Sequence, residues 1–87
     1  MKNFYFNNVQ LTESTILKTR KHFHDICIDC IEEAKSGKVF VNDLEKYIKQ
    51  EEKEAKKYLA GEHDHVFTFL QRAYWIQTGE MVPLLSF

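Results

Sequence analysis

Proline occurs once in the 87 residues and glycine only three times, so little in the chain interrupts a helix. Pro83 lies beyond Gly79 and falls inside no helical pattern. Each glycine follows a stretch with helical periodicity: Gly37 after IEEAKS, Gly61 after KKYLA and Gly79 after YWIQT. That is where glycine closes a helix, just past its end, in the left-handed conformation. Cysteine is scarce too. Cys27 and Cys30 are too few and too close for the disulfide framework of a secreted domain, which fits a reducing compartment. No apolar run reaches the ~18 residues that span a membrane, and the opening MKNFYFNN has a single lysine and no signal-peptide core. A cytoplasmic protein with no membrane partner is expected. Surplus positive charge is also missing: 12 Lys and Arg stand against 13 Asp and Glu, a net charge of −1. Bulk charge therefore offers no grip on a phosphate backbone, and nucleic acid is not the default partner.

What the chain does have is apolar surface. Hydrophobic residues make up 44% and aromatics 14%, ample for a core and incompatible with a wholly disordered polypeptide. At 87 residues the chain is one domain near the lower size limit for folding alone, which leaves self-association open. The pattern predicts an all-α fold, a small three-helix bundle over residues 1–87 with extended apolar ends.

The first helix is expected over about residues 13–36, capped by Thr12 or Ser14. At 100° per residue, Ile16, Phe23, Cys27, Cys30 and Ala34 share one arc, with Arg20 as a charged exception inside it. The second, about 43–60, opens at NDLE, where Asn42 caps and Glu45 completes a capping box. Its stripe is Leu44, Ile48, Ala55, Tyr58 and Leu59, with Glu51 intruding. The third, about 65–78, starts at Asp64 as cap and is apolar over half its circumference, which makes it the expected centre of the bundle. NFYFNNVQL and MVPLLSF crowd apolar residues at the two ends outside any helix. Phe4–Phe6, and Val39 with Val41, permit small strands or extended arms. These ends either wrap the bundle or bury themselves in another chain, the route to a homodimer.

The stretch HFHDICIDC, residues 22–30, invites a metal reading: zinc takes thiolates and imidazoles, and Cys27 and Cys30 have the C-x-x-C spacing, with His24, His63 and His65 as further ligands. Helical geometry opposes it. Both cysteines lie mid-helix beside Phe23 on the apolar arc, and His22 and His24 flank that arc on opposite sides. Two cysteines packing as small hydrophobes are the expectation, with no metal and no cofactor. No strand precedes Cys27, as a thioredoxin-like centre requires. A Cys27–His24 pair for nucleophilic chemistry would need the thiol exposed. No paired carboxylates and no phosphate-cradling glycine loop are present, so no catalytic residue is assigned and no enzyme is expected.

Trp75 alone breaks the apolar pattern of the third helix, on the side that holds Thr68, Gln71 and Arg72. A large aromatic and an arginine among polar neighbours have the composition of an interface hot spot. The other reading has the N-terminal arm cover Trp75. Thr68, Gln71 and Arg72 are also able to read bases, and only GEHD joins the second and third helices, so a helix-turn-helix regulator is the alternative. The acidic EEKE tract and the lack of a basic face oppose that alternative.

The closing stretch FTFLQRAYWIQTGEMVPLL, residues 67–85, together with VNDLEKYI, resembles short uncharacterised proteins of bacteriophages and prophages. The resemblance covers about a third of the chain and carries no chemical motif. It implies an accessory protein of a mobile element, of the kind that binds and inhibits or redirects a host protein, including restriction and CRISPR effectors. It transfers no functional residue.

Overall fold

The computed structural model describes residues 3–80. Two short strands precede three helices: β1 (Phe4–Phe6), β2 (Val9–Leu11), α1 (Glu13–Lys35), α2 (Leu44–Leu59) and α3 (Phe67–Thr78). The helical reading holds in the main, and the purely all-α reading is corrected by the sheet. β1 and β2 pair antiparallel, Phe4 opposite Leu11, Tyr5 opposite Gln10 and Phe6 opposite Val9. Asn7 and Asn8 join them at φ of 51° and 62°, the positive pair that a two-residue type I′ hairpin turn requires and that asparagine tolerates. Val39 and Val41 form no strand, and Phe40 between them is 87% exposed.

A lone two-stranded hairpin is unstable in water, so this one depends on what it covers. Leu11 joins Ile16, Phe69, Ala73 and Tyr74 in the core, with Phe4, Phe6 and Val9 packed against them. The N-terminal apolar residues thus complete the chain's own core. Gln77 of α3 fastens the outer edge of β2: its Oε1 accepts from the Thr12 amide at 2.9 Å, and its Nε2 donates to the Gln10 carbonyl at 3.0 Å. At the turn, Asn7 donates to the Tyr74 hydroxyl at 3.2 Å. The C-terminal segment MVPLLSF, the other apolar end, lies outside the described residues.

Helix ends follow local chemistry, and two differ from expectation. Thr12 caps α1, its hydroxyl accepting from the Thr15 amide at 3.1 Å. α2 is capped by Asp43, which accepts from the Lys46 amide at 3.1 Å. Asn42 therefore lies one residue too early, and Glu45 falls at the second helical position, where it closes no capping box. α3 begins at Phe67 after Val66, with no side-chain cap. Asp64 is instead drawn away by Arg20.

α1, rather than α3, is the helix that packs against both others; α3 is set between α1 and the hairpin. Cys27, Ile31, Ala34 and Ala55 are buried along α1 and α2. α3 still supplies the deepest residues, with Phe69 2% and Ala73 0% exposed. The charged exception on the apolar arc of α1 finds its partner here. Arg20 Nε and Nη2 donate to Asp64 Oδ1 and Oδ2 at 3.1 and 2.5 Å, and Asp64 is buried. Gly61 makes room for that pair: at φ +80°, a Cβ there would stand 2.7 Å from Arg20 Nη2. The fork ties α1 to the α2–α3 connection and keeps a buried carboxylate satisfied.

Candidate functional site

Burial decides the fate of HFHDICIDC. The Cys27 thiol lies in the α1–α2 interface, where burial, and next the Glu51 carboxylate, push its pKa up to about 11. Glu51, the intruder on the stripe of α2, faces this thiol. Cys30 is half-buried and meets Tyr47 of α2. His24 Nδ1 lies 3.1 Å from Asp25 on its own helix. His63 lies 3.1 Å from Glu54 and rests against the Tyr58 ring at 4.6 Å, while His65 is exposed at the other end of the connection. The five side chains considered for zinc are not brought together, and among the described residues no three His, Cys, Asp or Glu converge on a common point.

A thiol raised to about 11 is ionised at only about one part in ten thousand at pH 7, and only the thiolate attacks an alkylating reagent. In the folded protein Cys27 should therefore resist iodoacetamide at pH 7, and in guanidinium both cysteines should react completely. Peptide mass mapping reads this directly. Native Cys27 reacting at the rate of a free thiol would contradict the packing.

The four α3 residues expected to face a partner lie at helical spacings of three and four, hence on one side of the helix. Thr68 is exposed, and Gln71, Arg72 and Trp75 are half-buried. The Arg72 guanidinium sits 4.9 Å from the Trp75 ring centre and 5.9 Å from that of Phe23. Its Nη1 donates to His22 Nε2 at 2.8 Å. That bond requires a neutral imidazole with its proton on Nδ1, and burial, then the charge of Arg72, lower the His22 pKa. Phe23 is itself clamped, stacked on Tyr58 at 4.9 Å and on Phe69 at 5.9 Å.

Arg72 is thus held from three sides across the α1–α3 seam. The periodicity of α3 finds Arg72 and Trp75, but it cannot find His22 and Phe23, which come from another helix. Trp75 is neither fully exposed nor sealed: it is half-buried beneath the guanidinium of its own helix.

No family model, curated protein or solved structure matches the chain. No helix among the described residues is long and apolar enough to cross a membrane.

Proposed function

We propose that this chain is a non-enzymatic protein-binding module, an accessory protein of a bacteriophage or prophage that binds a host protein and inhibits or redirects it, for example a restriction or CRISPR effector. The binding surface is Trp75, Arg72, Gln71 and Thr68. The observation that carries the reading is the Arg72–Trp75 pair, 4.9 Å apart and pinned by His22. Arginine and tryptophan are the residue types that dominate interface energetics. An arginine already fixed in place loses little rotamer freedom on binding. The source as a mobile element rests on the resemblance of residues 67–85.

The test compares wild-type protein with Trp75→Ala as bait in a host lysate. Trp75→Ala should lower capture of the partner at least about tenfold, the loss of about 1.4 kcal/mol, while the helical circular dichroism and cooperative melt persist. Collapse of the melt would make Trp75 a core residue and remove the surface reading. The duplex-reading alternative uses the same face. It would require retention on a random-sequence duplex at low salt, lost in Arg72→Ala and weakening as salt rises. The engagement of Arg72 with His22 and Trp75 favours the protein partner.

A further inference from the structure

A sheet leaves unpaired backbone groups along both of its edges, and the two edges of this hairpin differ. In a two-residue hairpin the residues next to the turn form a hydrogen-bonded pair. Phe6 therefore bonds Val9, Phe4 bonds Leu11, and Tyr5 and Gln10 turn their backbone groups outward. On β2 those outward groups are taken: the Gln77 side chain binds the Gln10 carbonyl and the Thr12 amide. On β1 the outward groups are the Asn3 carbonyl, the Tyr5 amide and carbonyl, and the Asn7 amide, and none is bonded to a described residue. Apart from being short, β1 has none of the features that keep an edge from pairing. Residues 3–12 contain no charged side chain and no proline.

Apolar surface lies beside this edge. α3 crosses the hairpin with its C-terminal end fastened to β2 through Gln77 and its first residue, Phe67, against Phe6 of β1, ring centres 5.4 Å apart. Phe67 is 59% exposed, and Tyr5, on the opposite face of the sheet, 57%.

We propose that β1 pairs with β1 of a second copy, antiparallel about a two-fold axis at Tyr5, joining the two hairpins into one sheet across a homodimer. The segment Asn3–Asn7 is its own complement in that register. Tyr5 meets Tyr5 and exchanges both backbone bonds, and each Asn7 amide reaches the Asn3 carbonyl of the other copy. Phe4 of the second copy then stands beside Phe6, on the face that carries Phe67. An uncharged edge lets two identical surfaces meet without like-charge repulsion, as a two-fold contact requires. Because Gln77 closes β2 in both copies, the joined sheet has no free edge left and association stops at two. The exposed parts of Tyr5 and Phe67 from both copies supply roughly 400–600 Å², and the strands are short. The interface therefore falls below the roughly 1,200 Å² of standard complexes, and the dimer is a weak one that forms at high concentration. The pairing uses neither Arg72 nor Trp75 and stands apart from the partner-binding reading.

Sedimentation equilibrium of the intact chain, from about 10 µM to 1 mM, should show the mean mass rising from one chain towards two and no further. Tyr5→Pro removes an outward N–H without touching the ladder to β2, and should weaken the dimer at least about tenfold. Tyr5→Lys and Tyr5→Glu change only an exposed side chain and serve if proline disturbs the hairpin. The two-fold sets position 5 opposite itself, so each of these variants alone should stay monomeric, and their equimolar mixture should associate more tightly than either. A wild-type chain still monomeric at the highest concentration would overturn the proposal, whether the edge is bare or covered by residues 81–87. So would mass growing beyond two chains, a dimer that all three substitutions leave unchanged, or a mixture no tighter than its components.

Discussion

Phe69→Ala should cost about 3–5 kcal/mol, the largest loss expected from any single side chain here. Phe69 is 2% exposed and stands where the three parts of the molecule meet: it stacks on Phe23 of α1 and belongs to the cluster that holds Leu11 of the hairpin with Ala73 and Tyr74 of α3. Truncation removes its transfer free energy and leaves a cavity that a small core refills poorly. At roughly 0.05–0.15 kcal/mol per residue, a chain of 87 residues has roughly 4–13 kcal/mol in total. Urea unfolding should therefore show a midpoint lowered by at least about a quarter of its value, and no native baseline at all if the total lies near the lower end of that range. Phe40→Ala supplies the contrast. Phe40 is 87% exposed, and its loss should stay within about 0.5 kcal/mol. Similar costs at the two positions would mean that the core is placed wrongly.

Asp64→Ala should be the next most damaging change, at about 2–4 kcal/mol. Removing one partner of a buried ion pair strands the other charge and costs about 3–5 kcal/mol, and the Arg20 side chain, 26% exposed, recovers part of that from water. For a domain of this size the melting midpoint should fall by roughly 10–25 °C. The informative variant is the double one. Arg20→Met with Asp64→Leu removes both charges and fills the volume, and should restore most of the loss, because a buried pair contributes little beyond an apolar replacement. A single variant costing under about 0.5 kcal/mol would make the pair an ordinary surface contact.

Much of this architecture is legible residue by residue. The apolar spacing along α1 and α2, and glycines that take positive φ at positions 37, 61 and 79, delimit the helices to within a few residues. The hairpin was legible too: two asparagines between Phe4–Phe6 and Val9–Leu11 are a type I′ turn pattern. Reading the aromatic run as a single strand hides its partner.

Other features are invisible along one helix because they are set by tertiary pairing. Asp64 has the composition of a cap, but a bidentate arginine outweighs a cap's one hydrogen bond, so α3 starts late and uncapped. Arg20 and Glu51 look like flaws in two apolar stripes until the chain folds and sets them opposite Asp64 and Cys27. The same limit governs the candidate surface. Thr68, Gln71, Arg72 and Trp75 follow from the period of α3, whereas the imidazole that steadies Arg72 comes from α1.

The central claim is that the Arg72–Trp75 face of α3 is where a partner protein binds. It is tested most directly by photo-crosslinking in host cells, with a benzophenone amino acid placed at Thr68 beside that pair and, separately, at exposed Glu52 on α2. A covalent adduct of one defined mass from position 68, absent from position 52 and lost when Trp75 is also replaced, is the expected result. An adduct from position 52 alone, or one from position 68 that survives Trp75→Ala, would contradict it.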